Sequence, residues 1–292
     1  MMNEEVKKYL SAAAQVTDAA LNSLLPPETA YPSSVHALMR YSVFAGGKRI
    51  RPALVMAAYE ACGGLFGDKN AVLASAAIEM LHTFSLIHDD LPCMDDDDFR
   101  RGKPTAHKAF GEAQAVLGGD ALCIFAFECL AKTGRADIIE EIALALGTGG
   151  MIGGQVVDIE SEGKKVDRPT VEYIHKNKTA ALMRACVRIG ALLANANEQA
   201  LAALTAYGND VGLAFQVVDD ILDEEGTTEQ LGKDAGSDRE NGKATFPFVC
   251  GLEQSKQYAE ELIASGCREL EMFGTKSATL TALAQFIRTR IS

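Results

Sequence analysis

The chain has 292 residues, of which 48% are hydrophobic and 23% are charged, so it can bury one large core or two tightly fused halves. Its net charge of -12 excludes functions that need a positive overall field, and we expect no nucleic acid partner. The seven scattered cysteines contain no Cys-x-x-Cys pair, which argues against a disulfide or zinc framework and predicts a cytoplasmic protein.

The predicted elements are all helices. Apolar residues recur at helical spacing almost everywhere, Ala and Leu dominate, and aromatics make up only 7%, which together predict an all-α fold. The first helix stops at Leu25-Pro26-Pro27. Later helices are predicted at about 33–45, 52–62, 69–91, 106–117, 119–132, 136–159, 170–194, 198–224, 244–252, 255–272 and 276–290. Glycine pairs at 118–119 and 153–154 are interpreted as interruptions. Because we find no uninterrupted apolar run of about 18 residues, we predict no membrane span.

A basic turn comes early in the chain, before the helix that starts near residue 52. Gly46-Gly47 precedes Lys48, Arg49 and Arg51, so three cations lie at a helix start. Side chains, backbone N–H groups and the helix dipole can all bind a diphosphate there. In an acidic protein, this placement predicts a local anion site.

A first aspartate cluster ends the helix predicted at 69–91. Apolar residues run into Asp89-Asp90, and Pro92 should end or kink the helix so that the loop folds Asp95 back toward Asp89. His82 lies two turns before Asp89 on the same helical face. The other histidines that we considered, His36, His107 and His175, have no such position.

A second cluster follows an apolar helical segment at 214–218. Asp219 and Asp223 are four residues apart and share a helical face, with Asp220 beside them. Like charges at this spacing repel, and a divalent cation relieves the repulsion. Hard oxygen ligands favour Mg²⁺, which leaves positions open for phosphate oxygens. In the first cluster, Asp96, Asp97 and Asp98 are equally well explained as a solvated helix end.

Five segments in order resemble the polyprenyl diphosphate synthase family, most closely the bacterial farnesyl diphosphate synthases. They are GGKRIRP (46–52), HTFSLIHDDLPCMDDDDFRRGKPTAH (82–107), GGQVVDIESEG (153–163), HKNKTAAL (175–182) and GLAFQVVDDILDEEGTTEQLGKDAGSDRENGKATFP (212–247). The resemblance implies a single polyprenyl synthase domain over residues 1–292, with the isoprenoid synthase fold, a large helical bundle around a central cavity. It also implies a homodimer and three Mg²⁺ ions per active site.

The resemblance assigns roles residue by residue. Asp89 and Asp95 would hold metal on one wall of the cavity and Asp219 on the other. Asp90 and Asp223 would support them. Isopentenyl diphosphate would be bound by Lys48, Arg51, His82 and Arg101. The allylic diphosphate would be bound by Arg100, Lys178, Lys233 and Lys243. Thr179 and Gln216 would face the developing cation, so that Lys178, Thr179 and Gln216 form the catalytic set.

The reaction implied is the 1'-4 condensation of isopentenyl diphosphate with dimethylallyl and geranyl diphosphate, giving farnesyl diphosphate. In the family, the helix before the first cluster sets product length. Phe84 lies five residues before Asp89, about 7.5 Å along the helix, with the small Ser85 next to it. The resemblance associates an aromatic residue here, together with the inserted Pro92-Cys93, with a fifteen-carbon product.

Four alternatives stay open. The first, within the family, is synthesis of geranylgeranyl or geranyl diphosphate. The second is a non-catalytic partner subunit, but both aspartate motifs are intact, which argues against it. A terpene cyclase would lack the second diphosphate site that GGKRIRP indicates. His88-Asp89 could also belong to an HD-type metal phosphohydrolase, which would leave the second cluster unused.

Overall fold

The computed structural model describes residues 4–225 and 243–289, and the regular structure of these residues is almost entirely helical. The helices are α1 (Glu4–Leu24), α2 (Ser33–Val43), α3 (Ile50–Ala61), α4 (Lys69–Asp89), α5 (Ala106–Phe110), α6 (Glu112–Ala131), α7 (Ala136–Leu146), α8 (Met151–Ser161), α9 (Arg168–Ile174), α10 (Ala181–Leu193), α11 (Glu198–Glu225), α12 (Phe246–Cys250), α13 (Leu252–Glu269) and α14 (Ala278–Arg288). A π-helix, His175–Ala180, joins α9 to α10, and a 3-10 helix, Glu271–Ser277, precedes α14. A short antiparallel hairpin pairs β1 (Phe99–Arg100) with β2 (Lys103–Pro104). The predicted all-α class is confirmed.

The chain divides into two compact units. Unit A comprises Leu10–Ala53 and Gly67–Ala136, and unit B comprises Met1–Tyr9, Leu54–Phe66 and Asp137–Ser292. Unit A therefore carries the basic turn and the first aspartate cluster, and unit B carries the second cluster. Both units are discontinuous in sequence because α1 and α3 each contribute to both.

In unit A, α4 packs against α6, and α2 packs against both. Asp68 caps α4 by accepting a hydrogen bond from the backbone N–H of Asn70 at 2.9 Å. The predicted interruption at Gly118-Gly119 is wrong, since α6 runs through it. A Cβ atom at Gly118 would lie 2.3 Å from the Leu38 side chain, and one at Gly119 would lie 2.2 Å from the His88 ring. These glycines therefore allow close helix packing instead of ending a helix.

In unit B, the predicted helix 136–159 is two helices, α7 and α8, that meet at a turn of residues 147–150. The sequence Gly-Thr-Gly-Gly occupies this turn, and glycine favours a break because it loses more backbone entropy in a helix than other residues. The predicted interruption at Gly153-Gly154 is also wrong, because both residues lie inside α8. Helices α10 and α11 contribute to the core, and Val187, Leu204 and Tyr207 on them are completely buried.

Arg49 of the basic turn is a buried structural cation of unit A. It adopts a left-handed backbone conformation with φ of 49°. Its guanidinium donates to Glu79 at 2.8 Å, to Asp18 at 2.9 Å and to the carbonyl of Val43 at 2.8 Å. Burial lowers the pKa of Arg49, but the charges of Glu79 and Asp18 more than offset this and raise it. Arg49 therefore anchors the turn that presents Lys48 and Arg51.

Three helical segments are long and apolar enough to cross a membrane by length and composition alone, namely α4, α6 and Ala136–Ser161. The most apolar window of α4 is 67% buried within the protein, whereas the other two windows are 39% buried. Packing within the protein accounts for the apolar character of α4, whereas the other two segments leave apolar side chains exposed. The expectation of no membrane span remains a prediction.

Candidate active site

The first aspartate cluster lies where α4 ends in unit A. The helix ends at Asp89, and Asp90 is its C-cap, as the proline at position 92 predicts. The backbone N–H of Asp95 donates to the carbonyl of Asp89 at 2.9 Å. This hydrogen bond confirms that the loop folds back on the helix end. Asp89 and Asp95 are thereby neighbours, with hard oxygen donors suited to Mg²⁺.

Arg100 holds the buried carboxylate of Asp90. Its Nε donates to Asp90 Oδ1 at 2.9 Å, and its Nη2 donates to both Asp90 Oδ1 and, at 2.8 Å, Asp97 Oδ2. Asp90 is only 3% exposed, and this burial raises its pKa to about 6 even though Arg100 acts in the opposite direction. Asp97 adds to the rise through like-charge repulsion. Asp90 is therefore positioned by a cation instead of facing solvent.

The outer aspartates of this loop are more organised than a solvated helix end. Besides the contact of Asp97 with Arg100, Asp98 forms an ion pair with Lys108 at 2.7 Å. Among the residues that the structure describes, Asp96, Asp98 and His107 bring ligand atoms within 4.8 Å of one another. Asp96 and Asp98 are exposed, and neither is a predicted ligand.

The cations predicted to bind isopentenyl diphosphate also lie in unit A. Arg101 packs against the glycine turn, where its guanidinium donates to the carbonyl of Gly46, and a Cβ at Gly47 would lie 2.9 Å from it. Burial, followed by the charges of Arg51 and Arg101, holds the pKa of His82 well below its usual value. Burial also lowers the pKa of Arg101. The positive charges of Arg51 and Arg101, gathered beside His82, favour binding of an anion.

A cleft borders this group in unit A. Helices α2 and α4 and the hairpin line it, and both Arg100 and Arg101 reach it. Lys48, which follows the glycine turn, is exposed, and Arg51 is half-buried at the start of α3. The structure thus brings Arg51, His82 and Arg101 into one electrostatic environment, as the predicted diphosphate site requires.

Phe84 and Ser85, the predicted product-length residues, are half-buried on α4. The Phe84 ring lies edge-on to His88, with centroids 5.7 Å apart. His88 in turn approaches α6, where its Nε2 lies 3.1 Å from the carbonyl oxygen of Val116. The Ser85 hydroxyl donates to the carbonyl of His82 at 2.8 Å. Phe84 is therefore held by its neighbours in a defined orientation.

The second aspartate cluster lies on α11 in unit B. The helix is continuous through Glu225, so Asp219 and Asp223 share a face one turn apart, as predicted. Asp219 is half-buried and Asp223 is buried. Asp220, a member of the second cluster to which the resemblance assigned no separate role, accepts hydrogen bonds from Gln216 at 3.0 Å and from the backbone N–H of Phe246 at 2.8 Å.

The predicted catalytic set is assembled in unit B at the π-helix. The Thr179 hydroxyl donates to Gln216 Oε1 at 2.7 Å, and Lys178 Nζ donates to the buried carboxylate of Asp158 at 2.7 Å. A π-helix widens the turn and is frequent at functional sites. The ion pair of Asp158 with Lys178 was missed, although Asp158 lies in the segment GGQVVDIESEG that carries part of the family resemblance.

Two further cations were predicted for the allylic diphosphate. Lys243 is half-buried and precedes α12. Lys233 lies outside the described residues. The roles of both remain predictions.

A helical fold with an aspartate cluster in each unit and cations beside each cluster is typical of enzymes that bind diphosphates through metals. Comparison with known proteins gives the family. The family model described as polyprenyl synthetase matches residues 32–277. The chain therefore belongs to the polyprenyl synthetase family and is a prenyltransferase that acts on isoprenyl diphosphates.

Two curated relatives show this similarity over nearly the whole chain. A dimethylallyltranstransferase from Fischerella ambigua is 45% identical over 97% of this chain and 83% of its own length. The large subunit 1 of a heterodimeric chloroplastic geranylgeranyl pyrophosphate synthase from Arabidopsis thaliana is 46% identical over 97% of this chain and 78% of its own length.

Solved structures agree. An FPP/GFPP synthase from Zymomonas mobilis is 36% identical with a TM-score of 0.86, covering 97% of this chain and 99% of that one. A geranyltransferase from Helicobacter pylori, solved with magnesium and isoprenyl diphosphate, is 31% identical with a TM-score of 0.86 over 99% of each chain. The isoprenoid synthase fold is confirmed. The family also removes the phosphohydrolase alternative for His88-Asp89.

Proposed function

We propose that this protein condenses isopentenyl diphosphate with dimethylallyl and then geranyl diphosphate, releasing farnesyl diphosphate. The family supports the prenyl transfer. The observation that carries the fifteen-carbon product is Phe84, a half-buried aromatic residue on the helix that ends at Asp89. Five residues of helix separate them by about 7.5 Å, so a tail that ran along α4 from the metals would meet the ring early.

Each set of residues has a part in this reaction. Lys48, Arg51, His82 and Arg101 bind isopentenyl diphosphate and orient its double bond. Arg100, Lys178, Lys233 and Lys243 bind the allylic diphosphate. Thr179 and Gln216 present oxygen atoms to the cation that forms when the diphosphate leaves. The cations stabilise the negative charge of the leaving diphosphate, which is electrostatic stabilisation of the transition state.

The aspartates fit a magnesium cofactor, because Asp89, Asp95 and Asp219 offer hard oxygen atoms and the first two are neighbours through a backbone hydrogen bond. When bound, Mg²⁺ would supply Lewis-acid stabilisation of the departing diphosphate. Asp90 and Asp223 would support the three ligands. We propose three ions per active site, and metal analysis of the protein with bound diphosphate would count them.

We propose further that residues 1–292 work as a single polyprenyl synthase domain, in which one reaction needs both aspartate clusters. The support is that one family model spans residues of both units. Substitution of Asp89 or of Asp219 by Ala should then each abolish condensation. If either variant kept near-wild-type activity, this proposal would be wrong.

A second candidate product is geranylgeranyl diphosphate, with twenty carbons. It is favoured by the curated relatives, several of which are geranylgeranyl pyrophosphate synthases at 43–47% identity. The two products are separated by incubating the purified protein with Mg²⁺, isopentenyl diphosphate and one allylic primer, and sizing the product by chromatography. A twenty-carbon product, or use of farnesyl diphosphate as primer, would favour this candidate. No condensation product at all would contradict the proposed function.

Phe84→Ala should lengthen the main product by at least one five-carbon unit, because it removes the ring that limits the tail. Phe125→Ala is the matched control, since Phe125 is also a half-buried aromatic residue of unit A and its ring lies under Lys132 on α6. The control should keep the wild-type product. An unchanged product from Phe84→Ala would show that another residue sets the length.

We propose a homodimer and a cytoplasmic location. Helix α6 leaves Leu117 and Ile124 exposed, at 56% and 71%, seven residues apart and hence on one face. A second copy would bury this face. Light scattering should give twice the chain mass, and Ile124→Lys should shift it to the monomer. Cell fractionation would test the location.

A further inference from the structure

Four side chains of unit B form a continuous chain of polar contacts. The Thr179 hydroxyl donates to Gln216 Oε1 at 2.7 Å, and Gln216 Nε2 donates to Asp220 Oδ1 at 3.0 Å. The other carboxylate oxygen of Asp220 lies 3.2 Å from His175 Nε2. The chain thus connects Thr179 to a histidine that had no predicted role.

The direction of each hydrogen bond in this chain of polar contacts can be followed from Asp220 to Thr179. Asp220 Oδ1 accepts a hydrogen bond from the NH₂ group of Gln216 at 3.0 Å. The NH₂ group of Gln216 must therefore face Asp220, which turns the amide oxygen toward Thr179. Thr179 must then donate its only hydroxyl proton to that oxygen. The lone pairs of the Thr179 hydroxyl are left available, and no hydroxyl proton points at an incoming cation.

His175 is built to hold this arrangement. It is 4% exposed, and its ring lies 5.4 Å from the Phe246 ring, which stacks on Tyr258. Phe246 also donates its backbone N–H to the Asp220 oxygen that faces His175. Burial, assisted by the charge of Lys178, lowers the pKa of His175 to about 3, so the ring is neutral and carries one proton.

The position of that proton is determined by the surroundings. Within the described part of the chain, Nδ1 of His175 is buried without a hydrogen-bond partner. Nε2 lies 3.2 Å from Asp220 Oδ2, an oxygen that already accepts the backbone N–H of Phe246. The proton therefore lies on Nε2, and His175 donates to Asp220. The π-helix, His175–Ala180, holds both ends of the chain in one short element.

We propose that His175 is a positioning residue which, through Asp220 and Gln216, keeps the Thr179 hydroxyl oriented to stabilise the developing allylic cation. The proposal rests on the proposed function, because it assigns the cation to that reaction. It goes beyond that function by placing a neutral histidine behind the catalytic set. Without the Nε2 donor, Asp220 Oδ2 keeps the backbone N–H of Phe246 but loses the contact with the π-helix, so the orientation of Gln216 is held less firmly.

Kinetics of position 175 variants test the proposal. His175→Leu removes the donor and should lower kcat about ten- to a hundred-fold, with KM for isopentenyl diphosphate changed by less than about twofold. His175→Gln keeps an N–H near the position of Nε2 and should recover most of kcat, whereas the shorter His175→Asn should not. The Gln and Asn pair is decisive if the Leu variant does not fold.

A double-mutant cycle separates positioning from general packing. In a Thr179→Val background the hydroxyl is absent, so His175→Leu should lower kcat by less than about twofold more. If the kcat losses of the two single variants multiplied in the double variant, the proposal would be overturned. So would equal losses in the Gln and Asn variants, or a Leu variant with wild-type kcat.

A second readout does not depend on the reaction. Nitrogen-15 NMR of the five histidines, with His175 assigned from the Gln variant, should show the Nε2–H tautomer at neutral pH. The Nδ1–H tautomer, or a doubly protonated ring, would overturn the proposal even in an active enzyme. Wild-type protein that makes no condensation product would instead contradict the proposed function, and the tautomer would still be decided.

Discussion

The closest approach of two elements at the predicted catalytic set lies at Gly154, which makes this residue a sharp test of how that set is positioned. A Cβ atom at Gly154 would lie 2.2 Å from the backbone nitrogen of Lys178 and 2.8 Å from its Cα. Since ordinary contact begins near 3.4 Å, Gly154→Ala must move α8 and the π-helix apart by roughly 1.2 Å. Helix α11 is also close at the next turn, because a Cβ at Gly212 would lie 2.8 Å from the Cα of Ala180.

We expect this shift to displace Lys178 and Thr179 together. A displacement of about 1 Å in a positioned group costs about a hundredfold in rate, so kcat should fall by that order. Overpacking should also lower the free energy of unfolding by about 1–3 kcal/mol. Steady-state condensation kinetics and urea denaturation would measure the two effects.

Gly149→Ala is the matched control. Gly149 lies five residues earlier and is exposed, and a Cβ atom added there would have nothing within 4 Å and no left-handed backbone to strain. Its kcat and stability should stay near those of the wild type. Wild-type kcat in Gly154→Ala, or equal losses in both variants, would refute the claim that close contact between α8 and the π-helix positions Lys178.

Two further predictions concern unit A. Burial raises the pKa of Asp90 to about 6, so at lower pH Mg²⁺ must displace a proton from this carboxyl group in order to bind. The dissociation constant of Mg²⁺, measured by calorimetry, should therefore rise by up to about tenfold as the pH falls from 6 to 5, and it should change little above pH 7. Asp90→Asn should flatten this rise, and an unchanged pH profile would exclude Asp90 as its source. Glu79→Ala leaves the buried charge of Arg49 without its closest partner and should cost about 3–5 kcal/mol in urea denaturation. Glu128→Ala, which breaks an exposed pair, should cost below about 1 kcal/mol, and equal costs would contradict the argument.

Local physical chemistry made much of this protein readable from its sequence. Helical periodicity and Pro92 after α4 act over a few residues, so most of the helices and the end of α4 near Asp89 could be predicted. The four-residue spacing of Asp219 and Asp223 likewise placed both on one face of α11.

The tertiary structure decided what long-range packing controls. Gly118, Gly119 and Gly154 resemble helix breakers locally, yet each lies inside a helix because a neighbouring element needs the space of a side chain. No periodicity distinguishes a glycine that ends a helix from one that lets another element approach.

The partners of the polar side chains were decided in the same way. Asp158 meets Lys178 across 20 residues of sequence, and His175 of the π-helix meets Asp220 of α11. Such pairs leave no mark in local spacing, because a side chain's partner is set by which elements pack together. The sequence by itself therefore determined most of the helices, the aspartate clusters and the family, whereas only the folded chain showed which neutral and charged groups contact the predicted catalytic residues.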